Sequence, residues 1–162
     1  MNNKVRKLKI GLDYHGVITE NTEYFRCFCT ELLKRGHELH IITGGPETVV
    51  KKQLAECGIV YNNLFTIVDF YYSQGMGRYN ASGEFEIDKK LWDTAKSQYC
   101  QQQKIDIHID DSLAYGEYFS TPYCLYSSSN QSCILSINGT QLDLHSLPPA
   151  NVIQKIENIL LK

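Results

Sequence analysis

The sequence predicts an α/β protein with a mainly parallel sheet between two layers of helices, a Rossmann-like three-layer sandwich. Strand-like apolar runs alternate with segments of helical periodicity over about the first seventy residues, as in βαβ units. Acidic or hydroxyl side chains follow several of those runs, and in parallel sheets ligands bind at that end of the strands. The two observations together favour a sheet that carries a functional site at one edge.

The first half of the chain supplies two strand–helix units. Leu-Lys-Ile-Gly-Leu at residues 8–12 is compatible with a strand, and apolar residues recur at helical spacing over residues 22–35. Thr22 suits the N-cap of that helix, and Gly36 suits its left-handed stop. A second strand over residues 37–42 and a second helix that opens at Pro46 follow in the same order.

The middle of the chain adds a third strand, a turn-rich segment and a third helix. Residues 64–71 are apolar and rich in strand-forming types. Residues 73–87 contain many turn residues, which predicts a small lid or hairpin insertion within a single domain over residues 1–162. Asp88 suits the cap of a helix to about residue 100, with Leu91, Trp92, Ala95 and Tyr99 on its inner face.

The last third predicts a strand over residues 105–110, a late hairpin and a terminal helix. Residues 122–126 and 133–137 are two short strand candidates with a turn-rich link between them. The terminal helix opens at Pro148 and Pro149, and its apolar stripe should pack on the sheet.

Composition narrows the class of protein. The chain has 162 residues and a formal net charge of −2, and its short basic stretch at residues 4–9 does not predict general nucleic-acid binding. No run of about 18 apolar residues and no signal-peptide pattern occurs, so we expect a cytoplasmic protein without a membrane partner. The six cysteines form no C-x-x-C pair, and we expect them to be buried free thiols.

Four reactive side chains fall where the predicted strands end. They are Asp13, Thr43, Asp110 and Asp111. Lys89 and Lys90 open the helix that leads into the strand before the two adjacent acids, so they should lie at the same edge. Adjacent carboxylates close to a third one are more readily accommodated with a cation.

These residues resemble the motifs of the haloacid dehalogenase (HAD) superfamily of phosphotransferases. The matching segments are Leu-Asp-Tyr-His-Gly-Val-Ile-Thr at residues 12–19, Ile-Ile-Thr-Gly-Gly at 41–45, a lysine near position 90, and Ile-His-Ile-Asp-Asp at 107–111. They occur in the order found in that family, and they cover residues 8–112. The resemblance implies a HAD-like core with a minimal cap.

The resemblance also implies a role for each acid. Asp13 would attack phosphorus and form an aspartyl phosphate, which splits hydrolysis into two easier displacements. The Asp13 carboxylate, the backbone carbonyl of His15, Asp110 and Asp111 would hold Mg²⁺, which prefers oxygen ligands.

The phosphoryl oxygens would be bound by Thr43, Gly44 and a lysine as a preorganised set of donors. Lys89 and Lys90 fit best, with Lys90 slightly preferred, because Lys96 lies more than a helical turn further along the chain. The implied reaction is the Mg²⁺-dependent hydrolysis of a small phosphomonoester such as a nucleotide or a sugar phosphate. With so small a cap, a homo-oligomeric neighbour is a candidate for closing the site.

Position 15 departs from the resemblance. Most HAD phosphatases carry a second aspartate there, which serves as general acid and then as general base, and here the residue is His15. Histidine titrates near neutral pH and could perform both steps. The alternative is a weakened module that binds phosphate or metal in a regulatory role. A dehalogenase would need no metal, and the paired acids at 110 and 111 speak against it.

Overall fold

A seven-stranded sheet forms the centre of the protein in the computed structural model, which describes residues 6–162. The first residues of the basic stretch, including Lys4, lie outside the described residues. In chain order the strands are β1 Lys9–Leu12, β2 Glu38–Thr43, β3 Asn63–Thr66, β4 Gly77–Tyr79, β5 Phe85–Ile87, β6 Ile107–Asp110, β7 Tyr123–Ser127, β8 Ser132–Leu135 and β9 Gln141–Asp143.

The order of strands in the sheet is β3-β2-β1-β6-β7-β8-β9. The first five of these are parallel neighbours, and β8 and β9 continue the sheet antiparallel to β7. The prediction of an α/β fold with a mainly parallel sheet is therefore confirmed. The strand order reverses between β1 and β6, and such a switch point is where open α/β sheets form ligand-binding crevices.

Six helices connect or cover these strands. They are α1 Thr22–Lys34, α2 Glu47–Glu56, α3 Ile67–Ser73, α4 Lys89–Gln103, α5 Leu113–Gly116 and α6 Pro149–Leu160. A short 3₁₀ helix at Ile18–Glu20 precedes α1. The N-cap of α1 is Asn21 and not the predicted Thr22, because the Asn21 side chain accepts a hydrogen bond from the Tyr24 amide. Thr22 is the first residue of the helix.

Both faces of the sheet are covered by apolar side chains. Strand β2 illustrates this, because Leu39 and Ile41 belong to one buried cluster with α1 and α6, whereas Ile42 belongs to a second cluster with α3 and α4. Alternate residues of a strand point to opposite faces. The terminal helix packs on the first cluster through Val152 and Ile153, as its apolar stripe predicts.

The third predicted strand is wrong in its second half. Residues 63–66 are β3, but Ile67–Ser73 is helical. The Asp69 carboxylate accepts hydrogen bonds from the Thr66 hydroxyl and the Glu47 amide, at 2.9 and 2.7 Å, which ties the start of α3 to the start of α2. Side-chain bonds of this kind favour a helix start over a continued strand.

The turn-rich segment at 73–87 contains a two-stranded antiparallel hairpin of β4 and β5, separate from the main sheet. Its role as a lid stays a prediction. None of the helices within residues 6–162 is long and apolar enough to span a membrane.

The expectation of six buried free thiols is wrong. Cys124 and Cys133 form a disulfide between the neighbouring strands β7 and β8. Their Cα atoms are 5.5 Å apart, which lies in the range that a disulfide requires. Cys29 and Cys100 are buried free thiols, whereas Cys27 is exposed.

Candidate active site

Asp13 and Asp110 are brought together by the pairing of β1 with β6. Leu12 pairs with Ile109 in the parallel register, and the Asp13 amide donates to the Ile109 carbonyl at 2.9 Å. The two acids therefore leave neighbouring strands side by side at the switch point. Asp111 follows at once, and one carboxylate oxygen from each of the three acids lies within 4.8 Å of the others.

The three carboxylates differ in exposure. Asp13 and Asp110 are buried, with 5% and 0% of their surface accessible, whereas Asp111 is exposed. Gly16 makes room for Asp111, because a Cβ at this position would collide with the Asp111 carboxylate. Gly16 also has a φ of +79°, which other residues rarely adopt. Both the contact with Asp111 and the backbone conformation therefore require a glycine at position 16.

Lys96 supplies the positive charge of the site. Its Nζ lies 3.0 Å from Asp13 Oδ2 and 2.6 Å from Asp110 Oδ2, and its side chain is 2% exposed. The ammonium also lies 4.9 Å from the centre of the Tyr115 ring, a cation–π distance. Lys96 therefore bridges the two buried acids.

The structure does not place Lys89 or Lys90, the lysines favoured by the sequence, beside the acids. Lys89 is 84% exposed at its side chain and pairs with Asp93, and Lys90 is also exposed. Cα–Cβ bonds tilt toward the N-terminus of a helix, so the long stem of Lys96 reaches back to the edge of the sheet. Lys96 follows Trp92 by four residues, and this spacing alone would have placed it on the inner face.

Thr43 and Gly44 form the opposite wall. Thr43 ends β2 and is fully buried, and both residues line a cavity of about 460 Å³ together with Asp13, Lys96 and Asp111. The structure thus unites two of the predicted phosphate-binding residues with the acids. Neither Lys89 nor Lys90 lines this cavity.

The His15 side chain lies in the same cavity. Its Nδ1 is 3.4 Å from the Thr43 hydroxyl, and its ring meets the Tyr14 ring edge-on at 4.8 Å between centres. His15 is exposed, so solvent reaches the imidazole. A proton-transfer group is therefore available beside Thr43.

Burial and charge shift the pKa values of the site in different directions. Burial raises the pKa of Asp13, although Lys96 opposes the shift. Burial acts the same way on Asp110, but Lys96 and His108 outweigh it and hold the pKa of that carboxyl well below its usual range. Burial would lower the pKa of Lys96, yet Asp13 and Asp110 raise it above its ordinary value. The ammonium form of Lys96 is thereby favoured.

His108 is a supporting residue that the sequence did not single out. It is fully buried, its ring stacks on Phe119 at 5.2 Å, and its Nε2 lies 3.0 Å from Asp110 Oδ2. A carboxylate only accepts hydrogen bonds, so Nε2 carries the proton and donates it. Among residues 6–162, Nδ1 has no hydrogen-bond partner. The sign of this role in the sequence was the alternation of strand β6, which placed the polar His108 on a covered face of the sheet.

A second cavity, of about 780 Å³, lies at the start of β1 and β2 and is lined by Arg35, His37 and Glu157. Arg35 and His37 are already paired there, each 2.8 Å from a carboxylate oxygen of Glu157. It contains none of the strand-end acids. The smaller cavity is therefore the candidate active site.

Comparisons with known proteins add little beyond this geometry. No protein-family model matches the chain, and no curated protein matches it. Among solved structures, the chain is similar to a glycosyltransferase from Rickettsia africae ESF-5 with 13% sequence identity and a TM-score of 0.44. The match covers 76% of this chain and 30% of that protein.

Proposed function

We propose that the chain is a Mg²⁺-dependent phosphomonoester hydrolase of the HAD type, with Asp13 as the nucleophile. The observation that carries the proposal is one cavity lined by Asp13, Asp111, Thr43, Gly44 and Lys96 at the switch point of the sheet. Carboxylates for a cation, donors for phosphoryl oxygens and a candidate nucleophile are what phosphoryl transfer requires.

The donor set fits Mg²⁺. Three carboxylates against the single ammonium of Lys96 leave two formal negative charges, which one divalent cation balances. The ligand atoms are all oxygens, as Mg²⁺ prefers. Within residues 6–162 the His15 carbonyl accepts no hydrogen bond and is available as a further ligand. Mg²⁺ in this place would neutralise charge that develops on the transferred group.

The protein's own residues would then act in turn. A carboxylate oxygen of Asp13 attacks phosphorus, and the bond from phosphorus to the leaving-group oxygen breaks as the aspartyl phosphate forms. The Thr43 hydroxyl, the Gly44 amide and the Lys96 ammonium bind the phosphoryl oxygens. His15 gives a proton to the leaving oxygen and later takes one from the water that hydrolyses the intermediate.

The direct test is a panel of p-nitrophenyl phosphate, nucleoside monophosphates and sugar phosphates, each with Mg²⁺ and with EDTA. We expect hydrolysis that requires Mg²⁺ and is abolished by Asp13→Asn. Lys90→Met, on the same helix as Lys96, is a control that should keep activity, because Lys90 is exposed and does not line the cavity. A panel with no Asp13-dependent and Mg²⁺-dependent hydrolysis contradicts the proposal and favours a module that only binds phosphate or metal.

A further inference from the structure

Trp92 connects the candidate active site with a neighbouring groove. The indole lines the cavity that contains Asp13 and Thr43, and it also lines a groove of about 450 Å³ next to it. Among residues 6–162, no other residue is shared by the two. A ligand that extends from the phosphate-binding end of the site over Trp92 would enter this groove.

The position of the indole is fixed from two sides. Its Nε1 donates to the Tyr115 hydroxyl at 2.6 Å. Its six-membered ring lies over Gly44, where an added Cβ would come within 2.9 Å of the indole Cζ2. Gly44 therefore lets the ring approach the loop that holds the phosphoryl-binding amide. Tyr115 belongs to α5, directly after the Asp110-Asp111 pair. The flat surface is preorganised with respect to both halves of the site.

The remaining walls of the groove combine apolar and charged side chains. Phe85, Glu86 and Ile87 come from β5 of the hairpin, and the Lys89–Asp93 ion pair borders the groove. The Phe85 ring packs against Gly77, where any side chain would collide with it, and meets Tyr79 edge-on at 5.3 Å between centres. The hairpin thus presents a supported aromatic wall next to Trp92.

We propose that Trp92 and the hairpin groove bind the leaving group of the substrate, and that this group carries an aromatic ring. The inference rests on the proposed function and narrows its substrate class, from phosphomonoesters in general to aromatic ones. Flat rings stack on indole faces and bury apolar area, whereas a sugar keeps its hydroxyls hydrated. Aryl phosphates and nucleoside monophosphates share this chemistry, and sugar phosphates lack it.

The test uses two phosphonates that cannot be hydrolysed, phenylphosphonate and methylphosphonate, with Mg²⁺ present. In calorimetric titration, the wild-type protein should bind phenylphosphonate at least about tenfold more tightly than methylphosphonate. Trp92 is the only tryptophan in the chain, so its fluorescence should change on binding of phenylphosphonate. This fluorescence readout needs no variant and remains valid if a substitution unfolds the protein.

Trp92→Leu should remove the preference for phenylphosphonate while leaving the affinity for methylphosphonate unchanged, and Trp92→Phe should restore part of it. Tyr72→Leu is the matched control, because Tyr72 is 58% exposed and lines neither cavity. Equal affinity for both phosphonates, no measurable binding of either, or a preference that survives Trp92→Leu overturns the inference.

The outcome is separate from that of the proposed function. Binding of a nucleoside monophosphate to Asp13→Asn, tighter than that of ribose 5-phosphate and dependent on Trp92, supports a nucleobase as the ring. Stronger binding of phenylphosphonate than of the nucleotide supports a simple aryl group. If the protein binds aromatic ligands at Trp92 but hydrolyses no substrate, the groove is retained and the hydrolase proposal fails. If hydrolysis requires Asp13 but Trp92→Leu changes no substrate preference, the hydrolase proposal is retained and the inference about the groove fails.

Discussion

Replacement of Lys96 by methionine should destabilise the protein strongly in the absence of metal. The side chain of Lys96 is 2% exposed, and the Asp110 carboxylate it contacts at 2.6 Å is 0% exposed. Removal of one partner of a buried ion pair costs about 3–5 kcal/mol, because the other charge stays buried without compensation. For a domain of this size each kcal/mol lowers Tm by about 2–4 °C, so we expect a fall of roughly 6–20 °C.

Thermal unfolding followed by circular dichroism in EDTA measures this effect, with Lys90→Met as the control from the same helix. Lys90 is exposed, so its replacement should leave Tm unchanged. Without Lys96 the buried acids should take up protons more readily, because their charges lose the ammonium partner. The destabilisation should therefore be smaller at pH 5 than at pH 8. Equal Tm values for the two variants would refute the placement of Lys96 between the acids.

Three further predictions follow from the same geometry. Mg²⁺ at a hundred times its Kd at pH 8 should add about 2.7 kcal/mol of stability, and the same Mg²⁺ concentration should add less at pH 5, as measured by scanning calorimetry. Burial raises the pKa of Asp13, so protonated Asp13 stabilises the metal-free fold at low pH, and this stabilisation is lost as the pH rises through that pKa. Over the same range protons cease to compete with Mg²⁺ for the carboxylate. His108→Phe keeps the stacked ring but removes the bond to Asp110, so calorimetry should show Mg²⁺ binding about 10- to 100-fold weaker; unchanged affinity would contradict the supporting role. His15→Asn should lower kcat by about 10²–10⁴ for an alkyl phosphate, and by less for p-nitrophenyl phosphate, whose leaving group needs no proton; an equal loss for both would exclude His15 as the acid.

The positions of the three acids were predictable because strand ends are marked clearly in the sequence. Asp13 and Asp110 follow short apolar runs, and parallel strands bring such residues to one edge. Thr43 follows by the same reasoning. These predictions needed only the existence of the strands, and not their precise bounds.

The lysine was harder to predict because it depends on the rotation of a helix and on the reach of a side chain. Position along α4 favoured Lys89 and Lys90, but the tilt of the side chains and the inner face that begins at Trp92 favour Lys96. His108 and Asp110 are alternate residues of the same strand, β6, so both side chains lie on one face of the sheet, and the polar His108 on this covered face was the only sign in the sequence that it supports Asp110. The Cys124–Cys133 disulfide depends on the pairing of β7 with β8.

The transition at Thr66 shows a further limit of sequence patterns. Residues 64–71 are apolar throughout, and periodicity alone does not separate a buried strand from a buried helix in so short a run. The Asp69 carboxylate, which accepts from Thr66 and Glu47, decides the outcome through a contact with the start of α2.

The central claim is that Asp13 accepts a phosphoryl group, and its most direct test is covalent capture. The protein is mixed with a phosphomonoester and Mg²⁺, quenched with acid during turnover, treated with borohydride to reduce any acyl phosphate, and analysed by peptide mass spectrometry. We predict reduction of Asp13 to homoserine in the wild type, and none in the presence of EDTA. Hydrolysis of the ester with Asp13 unmodified, or a reduced residue at any other position, would contradict the account.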